Sequence, residues 1–306
     1  MEVRDALSLG RQALSGKTEH FARDVALLLA HALGCTVEDV YLHPERVVTP
    51  QEYDAYLYFL KRRINKEPVA YILGYKEFMG KKFKVDKRVL IPRPETEILV
   101  ETALKIMADM EIKDGIICDV CCGSGAVGLS LMGWGRFSCF FRYPKEAGEP
   151  SPSFILTDIS QEALEVAREN ARNLGLDCQD GLRFLHGDCL EPLRGAGLFN
   201  QVDLIVSNPP YIPSGEIEHL DDEIKNFEPI LALDGGACGT RFINTLIEEA
   251  PDFLKSGGHL LIEIGHDQAS LCKQAVGEGD HGSAWSSCWT VQDYSGTERV
   301  FVARRR

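Results

Sequence analysis

From about residue 114 to the end of this 306-residue chain, short apolar runs alternate with segments of helical spacing, and few folds accommodate that alternation. "GIICDVC", "SFILTDI", "VDLIVSN" and "GGHLLIEIG" read as strands. Between them, "GAVGLSLM", "SQEALEVARENARNLGL" and "GTRFINTLIEEAPDFLK" read as helices. The order predicts an α/β domain with a doubly wound, mainly parallel sheet and helices on both faces. "WTVQDYSGTERVFVARR" reads as an antiparallel edge pair around a Ser-Gly turn. Residues 133–153, "GWGRFSCFFRYPKEAGEPSPS", read as an aromatic loop with no assigned role. Ligands of such sheets sit beyond the carboxyl ends of the strands, so the residues found there carry the functional argument.

The first seventy or so residues have a different character. "TEHFARDVALLLAHALG" has helical spacing and stops at Gly34. "TPQEYDAYLYFLKRR" opens with Thr49 as N-cap, Pro50 in the first turn and Glu52 completing a capping box. Tyr53, Tyr56, Leu57 and Leu60 are then expected to line one face. The period changes to two in "KEFMGKKFKV", a predicted hairpin, and returns to helical in "PRPETEILVETALKIM", where Pro94, Glu95 and Glu97 suit a helix start. The expected organisation is a small helical domain over 1–73, a β-hairpin linker over 74–92 and a sheet domain over 93–306.

Composition narrows the partners. No apolar run is long enough to span a bilayer, and "MEVRDALSLG" lacks signal and transit patterns, so a cytoplasmic protein without membrane contact is expected. The 33 basic and 46 acidic residues leave a net charge of −13, which argues against a broad phosphate-binding surface and against direct nucleic-acid contact. Most of the ten cysteines are expected to be reduced and buried. Cys118 and Cys121 form a Cys-x-x-Cys, but no second pair follows, and no metal is expected.

Three sets of residues gather at the predicted strand ends. Gly123, Gly125 and Gly128 in "DVCCGSGAVGLSL" form a Gly-x-Gly-x-x-Gly between a strand and a helix. That geometry serves the pyrophosphate of a nicotinamide dinucleotide and equally S-adenosylmethionine, and the glycines alone do not choose. Asp119 caps the turn or orients an ammonium group. Asp158, ending "LTD", is placed either to accept two ribose hydroxyls or to serve as a helix N-terminal acid. Asp188, in "LHGDCLEPL", is either an acceptor for an adenine amino group or an ordinary turn aspartate.

The third set is Asn208-Pro209-Pro210-Tyr211, which ends "VDLIVS". A dehydrogenase has no use for it, whereas methyl transfer to a planar nitrogen does. An amide or aromatic amine nucleophile has a delocalised lone pair, so holding it in line with the methyl group lowers the barrier by orientation. The Asn208 side-chain oxygen and the Pro209 carbonyl would accept its two N–H groups, with Tyr211 on the flat face. The prolines would hold these acceptors rigidly.

The glycine loop, Asp158, "SNPPYI", "FEPILAL", "EPVAYILGYKEFMG" and "VLIPRPETEILVE" together resemble the PrmC/HemK protein-(glutamine-N5) methyltransferases, over nearly the whole chain. The resemblance implies a Rossmann-like class I fold. It implies methyl transfer from S-adenosylmethionine, leaving S-adenosylhomocysteine, to the glutamine side-chain nitrogen of the Gly-Gly-Gln motif in class 1 peptide chain release factors. It further implies that Cys121, Cys122, Gly123, Ser124 and Gly125 wrap the cofactor's methionine, that Asp158 binds ribose and that Asp188 and Cys189 flank adenine. Asn208, Pro209, Pro210 and Tyr211 would hold the substrate glutamine, Asn208 also facing the cofactor, while the helical head docks the release factor. A monomer is expected. Cys121 departs from the family, which often has glycine there, so ordinary backbone geometry is expected at this position. The 133–153 segment is a second departure. The rivals are a nucleic-acid amino-methyltransferase with the same tetrapeptide, a nicotinamide dehydrogenase and a non-catalytic binding module.

Overall fold

The computed structural model describes residues 1–137, 151–177, 181–278 and 284–306, which form two compact units. One comprises Met1–Lys76 together with Asp221–Phe227. Its helices are α1 (Val3–Leu14), α2 (Phe21–Leu33), α3 (Val37–Leu42), α4 (Pro50–Ile64) and α5 (Val69–Leu73), and Val25, Leu28, Leu29, Tyr56 and Leu60 are central to its core. Gly34 ends α2 in the left-handed conformation, at φ 62°. The capping box of α4 forms as expected: Thr49 Oγ1 accepts the Glu52 N–H at 3.3 Å and the Glu52 carboxylate accepts the Thr49 N–H at 2.8 Å. Tyr56 and Leu60 face inward, but Leu57 is 38% exposed, because the buried stripe follows the i, i+3, i+7 positions from Tyr53. Buried Arg63 donates to Asp24 at 2.7 Å and to Glu223 at 2.5 Å, so Asp221–Phe227, with its short helix α6 (Asp222–Lys225), joins this unit through a charge.

The other unit comprises Glu77–Leu220 and Glu228–Arg306. The boundary falls within a hairpin of β1 (Tyr75–Phe78) and β2 (Lys81–Lys84), turned at Met79 and Gly80, which both have positive φ. A short 3-10 turn over Pro94–Thr96 leads into α7 (Glu97–Asp109), and Glu97 reaches back to accept the Met79 N–H at 2.7 Å.

Seven strands follow: β3 (Ile116–Val120), β4 (Ser153–Asp158), β5 (Leu182–His186), β6 (Val202–Ser207), β7 (Leu254–Glu263), β8 (Trp285–Gln292) and β9 (Glu298–Arg305). Their order in the sheet is β5-β4-β3-β6-β7-β9-β8. All neighbours from β5 to β7 are parallel, and only β9 runs against its neighbours, which gives the expected antiparallel edge pair. Among the described residues, α7 and five further helices cover this sheet: α8 (Ala126–Phe137), α9 (Gln161–Asn173), α10 (Glu191–Gly195), α11 (Arg241–Phe253) and α12 (Ala269–Glu278). Alternation along the strands feeds two cores. Ile117, Leu204, Val206 and Leu261 face α7, α8 and α9, while Cys118, Ile205, Leu260 and Ile262 face α11 and α12.

The expected loop over 133–153 is partly wrong. Helix α8 continues to Phe137 and β4 begins at Ser153, and 138–150 lies outside the described residues. Among the described residues, no helix is long and apolar enough to cross a membrane. All eight described cysteines are free; Cys118, Cys122, Cys189 and Cys272 are buried, whereas Cys238 is exposed.

Candidate active site

The strand order reverses between β3 and β6, since the chain proceeds outward through β4 and β5 before returning to β6 on the other side of β3. This switch point opens a crevice at the carboxyl ends of the strands. The register aligns those ends: Val120 pairs with Thr157 and with Ser207, and Ser207 pairs with Ile262. The residues that follow each strand therefore converge. One cavity there is lined by Cys121, Cys122, Gly123, Ser124, Asp158, Asp188, Cys189, Asn208 and Pro210, with Asp119 and Thr96 also on its wall.

The glycine loop is built by close approaches. A Cβ on Gly128 would lie 2.9 Å from Asp119 Oδ2 and 3.0 Å from Leu156 Cδ1, so only glycine lets α8 press this closely on β3 and β4. Gly125, at φ 76°, would bring a Cβ to 3.1 Å from that of Ala167, and it supports the loop without lining the cavity. At Gly123, φ 53°, the position of the missing Cβ is open, which leaves the backbone accessible. Cys121 does not have the ordinary geometry expected of a cysteine: its φ is 61°. A side chain costs about 1–2 kcal/mol in that region, so the loop conformation is imposed by the hydrogen bonds around it. Those bonds include Cys122 N–H to the Thr157 carbonyl at 2.9 Å. Buried Asn170 adds another, donating to the Ser124 carbonyl at 2.9 Å and to the Lys84 carbonyl at 3.0 Å.

The strand-end acids are anchored before any ligand is considered. Asp158 Oδ2 accepts the Gly123 N–H and Oδ1 the Ser160 N–H, both at 2.8 Å. Burial raises its carboxyl above the usual range, and these two bonds oppose that rise. Asp119 is 2% exposed and accepts the Gly128 N–H at 2.8 Å; burial pushes its carboxyl up to about 7, and the nearby Asp158 adds to the shift. Cys189 also has a positive φ, 46°, and burial pushes its thiol up to about 12, so it is an inert wall rather than a nucleophile. Cys118 is sequestered in the sheet core, and among the described residues no group of three or more His, Cys, Asp or Glu side chains is placed to hold a metal ion.

The Asn-Pro-Pro-Tyr segment leaves β6 and enters the cavity wall at Asn208 and Pro210; Pro209 is buried and does not line it. Asn208 Nδ2 donates to Thr96 Oγ1 at 3.2 Å. Tyr211 does not line the cavity, contrary to the flat-face role expected of it. Its hydroxyl lies 3.5 Å from Glu263 Oε1, and its carbonyl accepts from Gln268 Nε2 at 3.0 Å. Gln268 also donates to the Gly239 carbonyl at 3.1 Å, and a Cβ on Gly239 would lie 2.4 Å from the Tyr211 carbonyl oxygen. Together these contacts clamp the loop from behind.

Several residues of this site escaped sequence reasoning. Thr96 was legible only as part of a helix start, and Gln268 carries no local signal. Glu263 did leave one: an acid at the end of the apolar run "HLLI" is costly unless something uses it. The "FEPILAL" segment works through Glu228, which is 4% exposed and accepts the Ile91 N–H at 3.1 Å and the Arg93 guanidinium, while Pro229, Leu231 and Ala232 reach the cavity.

Two family models match the chain: the PrmC N-terminal domain over residues 5–74 and a methyltransferase domain over residues 112–295. A release factor glutamine methyltransferase of Clostridium acetobutylicum is 34% identical over 100% of this chain and 99% of its own length. One from Moorella thermoacetica is 36% identical with the same coverage, 100% and 99%. A solved structure of a release-factor-specific protein-(glutamine-N5) methyltransferase from Alicyclobacillus acidocaldarius matches at 24% identity and a TM-score of 0.40, over 73% of this chain and 99% of that one.

Proposed function

This chain belongs to the release factor glutamine methyltransferase family, and we propose that it methylates the side-chain nitrogen of the Gly-Gly-Gln glutamine in class 1 peptide chain release factors, with S-adenosylmethionine as donor. The observation that carries this reading is that Asn208 lines the same cavity as Gly123, Asp158 and Cys189. An acceptor suited to an amide nitrogen thus shares one space with the groups suited to the cofactor.

The residues present fit that cofactor. Open backbone at Gly123 admits close approach of the methionine part, which would run along Cys121 to Gly125. Asp158 retains a lone pair on each oxygen for the ribose hydroxyls beyond the two backbone bonds it accepts. Asp188 and Cys189 would flank the adenine. S-adenosylmethionine, when bound, supplies a methyl group made electrophilic by its sulfonium. Asn208 Oδ1 would accept a glutamine N–H group and aim the nitrogen lone pair, which supplies rate by orientation, while buried Pro209 stiffens the segment that carries it. Tyr211 contributes from behind, holding the loop through Glu263 and Gln268. The amide proton would pass to solvent or to a carbonyl as the N–C bond forms. The same reading has the enzyme working as a cytoplasmic monomer.

The test is to incubate the purified protein with labelled S-adenosylmethionine and an unmethylated class 1 release factor, then map the label by peptide mass spectrometry. A single methyl on the Gly-Gly-Gln glutamine is expected. Label on nucleic acid and none on the release factor would select the amino-methyltransferase instead.

A further inference from the structure

We propose that Thr96 and Glu263 form a positioning relay behind Asn208 that decides which end of its amide faces the cavity. The inference rests on the proposed methyl transfer to an amide nitrogen. Glu263 ends β7, and because Ile262 pairs with Ser207 it stands beside Asn208 at the end of β6. It is 1% exposed, its Oε2 has no hydrogen-bond partner, and the nearby Thr96 side chain draws its carboxyl down against the effect of burial. A buried acid with an unsatisfied oxygen is expensive to fold, and nothing in the surrounding core requires one.

Proton counting gives it a task. The Thr96 hydroxyl has one hydrogen. When that hydrogen is donated to the Glu263 carboxylate, Thr96 can only accept from Asn208, and it does so from Nδ2 at 3.2 Å. With Nδ2 committed, Oδ1 is the end left to receive an N–H in the cavity that Asn208 lines. The opposite orientation would present an NH₂ to an NH₂. Thr96 and Glu263 thus act through Asn208 and are positioning residues.

The carboxylate form of Glu263 only accepts, so it enforces this direction; the acid form can donate and release it. Burial pushes this carboxyl up to about 7; the Thr96 and Tyr211 hydroxyls and Arg299 pull it down, and Glu95 pushes it up. The relay therefore engages as pH rises through that region.

The test uses the full chain with labelled S-adenosylmethionine and an unmethylated class 1 release factor, and compares T96V, T96S and E263Q. T96V is expected to lower kcat by about 10–100-fold. Its cofactor Kd, measured by calorimetry, should stay near that of the unaltered enzyme, and T96S should recover most of the rate. The unaltered enzyme's kcat should rise through about pH 7 while that of E263Q does not. Unchanged kcat in T96V, no recovery in T96S, or an unaltered pH profile in E263Q would overturn the relay. Failure of the unaltered enzyme to label the release factor would instead overturn the function on which the relay rests.

Discussion

Asp158 Oδ2 accepts the Gly123 backbone N–H at 2.8 Å, tying the end of β4 to the glycine loop that follows β3. One carboxylate thereby shapes the loop and faces the cavity. Asp158→Ala removes both contributions. The loss of charge-assisted bonds is expected to raise the S-adenosylmethionine Kd by about 10–100-fold. Calorimetric titration checks this, and an unchanged Kd would remove the ribose assignment.

Asn208→Ala separates binding from chemistry. Thr96 would lose its donor, but Gly123, Asp158 and Cys189 would remain in the cavity wall. Turnover is expected to fall by about 100-fold, the scale of a lost orienting contact. Cofactor affinity should barely move. Near-normal single-turnover rates would show that the amide clamp is not used.

Gly128→Ala tests the packing that makes the loop. The added methyl would meet Asp119 Oδ2 at 2.9 Å and Leu156 Cδ1 at 3.0 Å, both in the buried seam between α8 and the sheet. Overpacking of this kind costs about 1–3 kcal/mol. Urea unfolding should show the midpoint shifted down, with weaker cofactor binding in the same variant; a midpoint equal to that of the unaltered protein would contradict the close-approach argument.

Asp119 makes stability depend on pH in a direction opposite to that of a salt-bridged acid. Its folded carboxyl is raised to about 7 by burial, against about 3.9 in an unfolded chain. Below about pH 4 both states are protonated; between there and about 7 the folded state holds the extra proton, so stability falls as pH rises. Asp119→Asn cannot titrate and still offers an oxygen to the Gly128 N–H. Comparing the two by urea unfolding at pH 5 and pH 8, the unaltered protein should lose more stability than the variant. Parallel losses would place the Asp119 carboxyl in its ordinary range.

The central strands β3, β4, β6 and β7 were readable because their apolar runs are buried on both faces, so the run itself is the signal, and the capping box of α4 was readable because both of its partners lie within four residues. Asp158 and Asn208 were found by the same logic, each standing at or just past a legible strand end. Leu57 was misplaced because adjacent helical positions differ by a rotation that a four-residue pattern does not resolve. Cys121 was misjudged because its residue type argues against positive φ, and only the Thr157, Ser124 and Asn170 bonds that hold the loop override that preference.

What local sequence determined about this protein was therefore the order of its elements and the identity of the groups at their ends, since periodicity, caps and turn residues act over a few positions. Which of those groups share a cavity was decided by tertiary structure. Thr96 meets Asn208 across 112 residues, and Arg63 reaches Glu223 across 160. Such contacts depend on strand order and register, which satisfy the buried polar groups of distant segments together, and no local pattern encodes them.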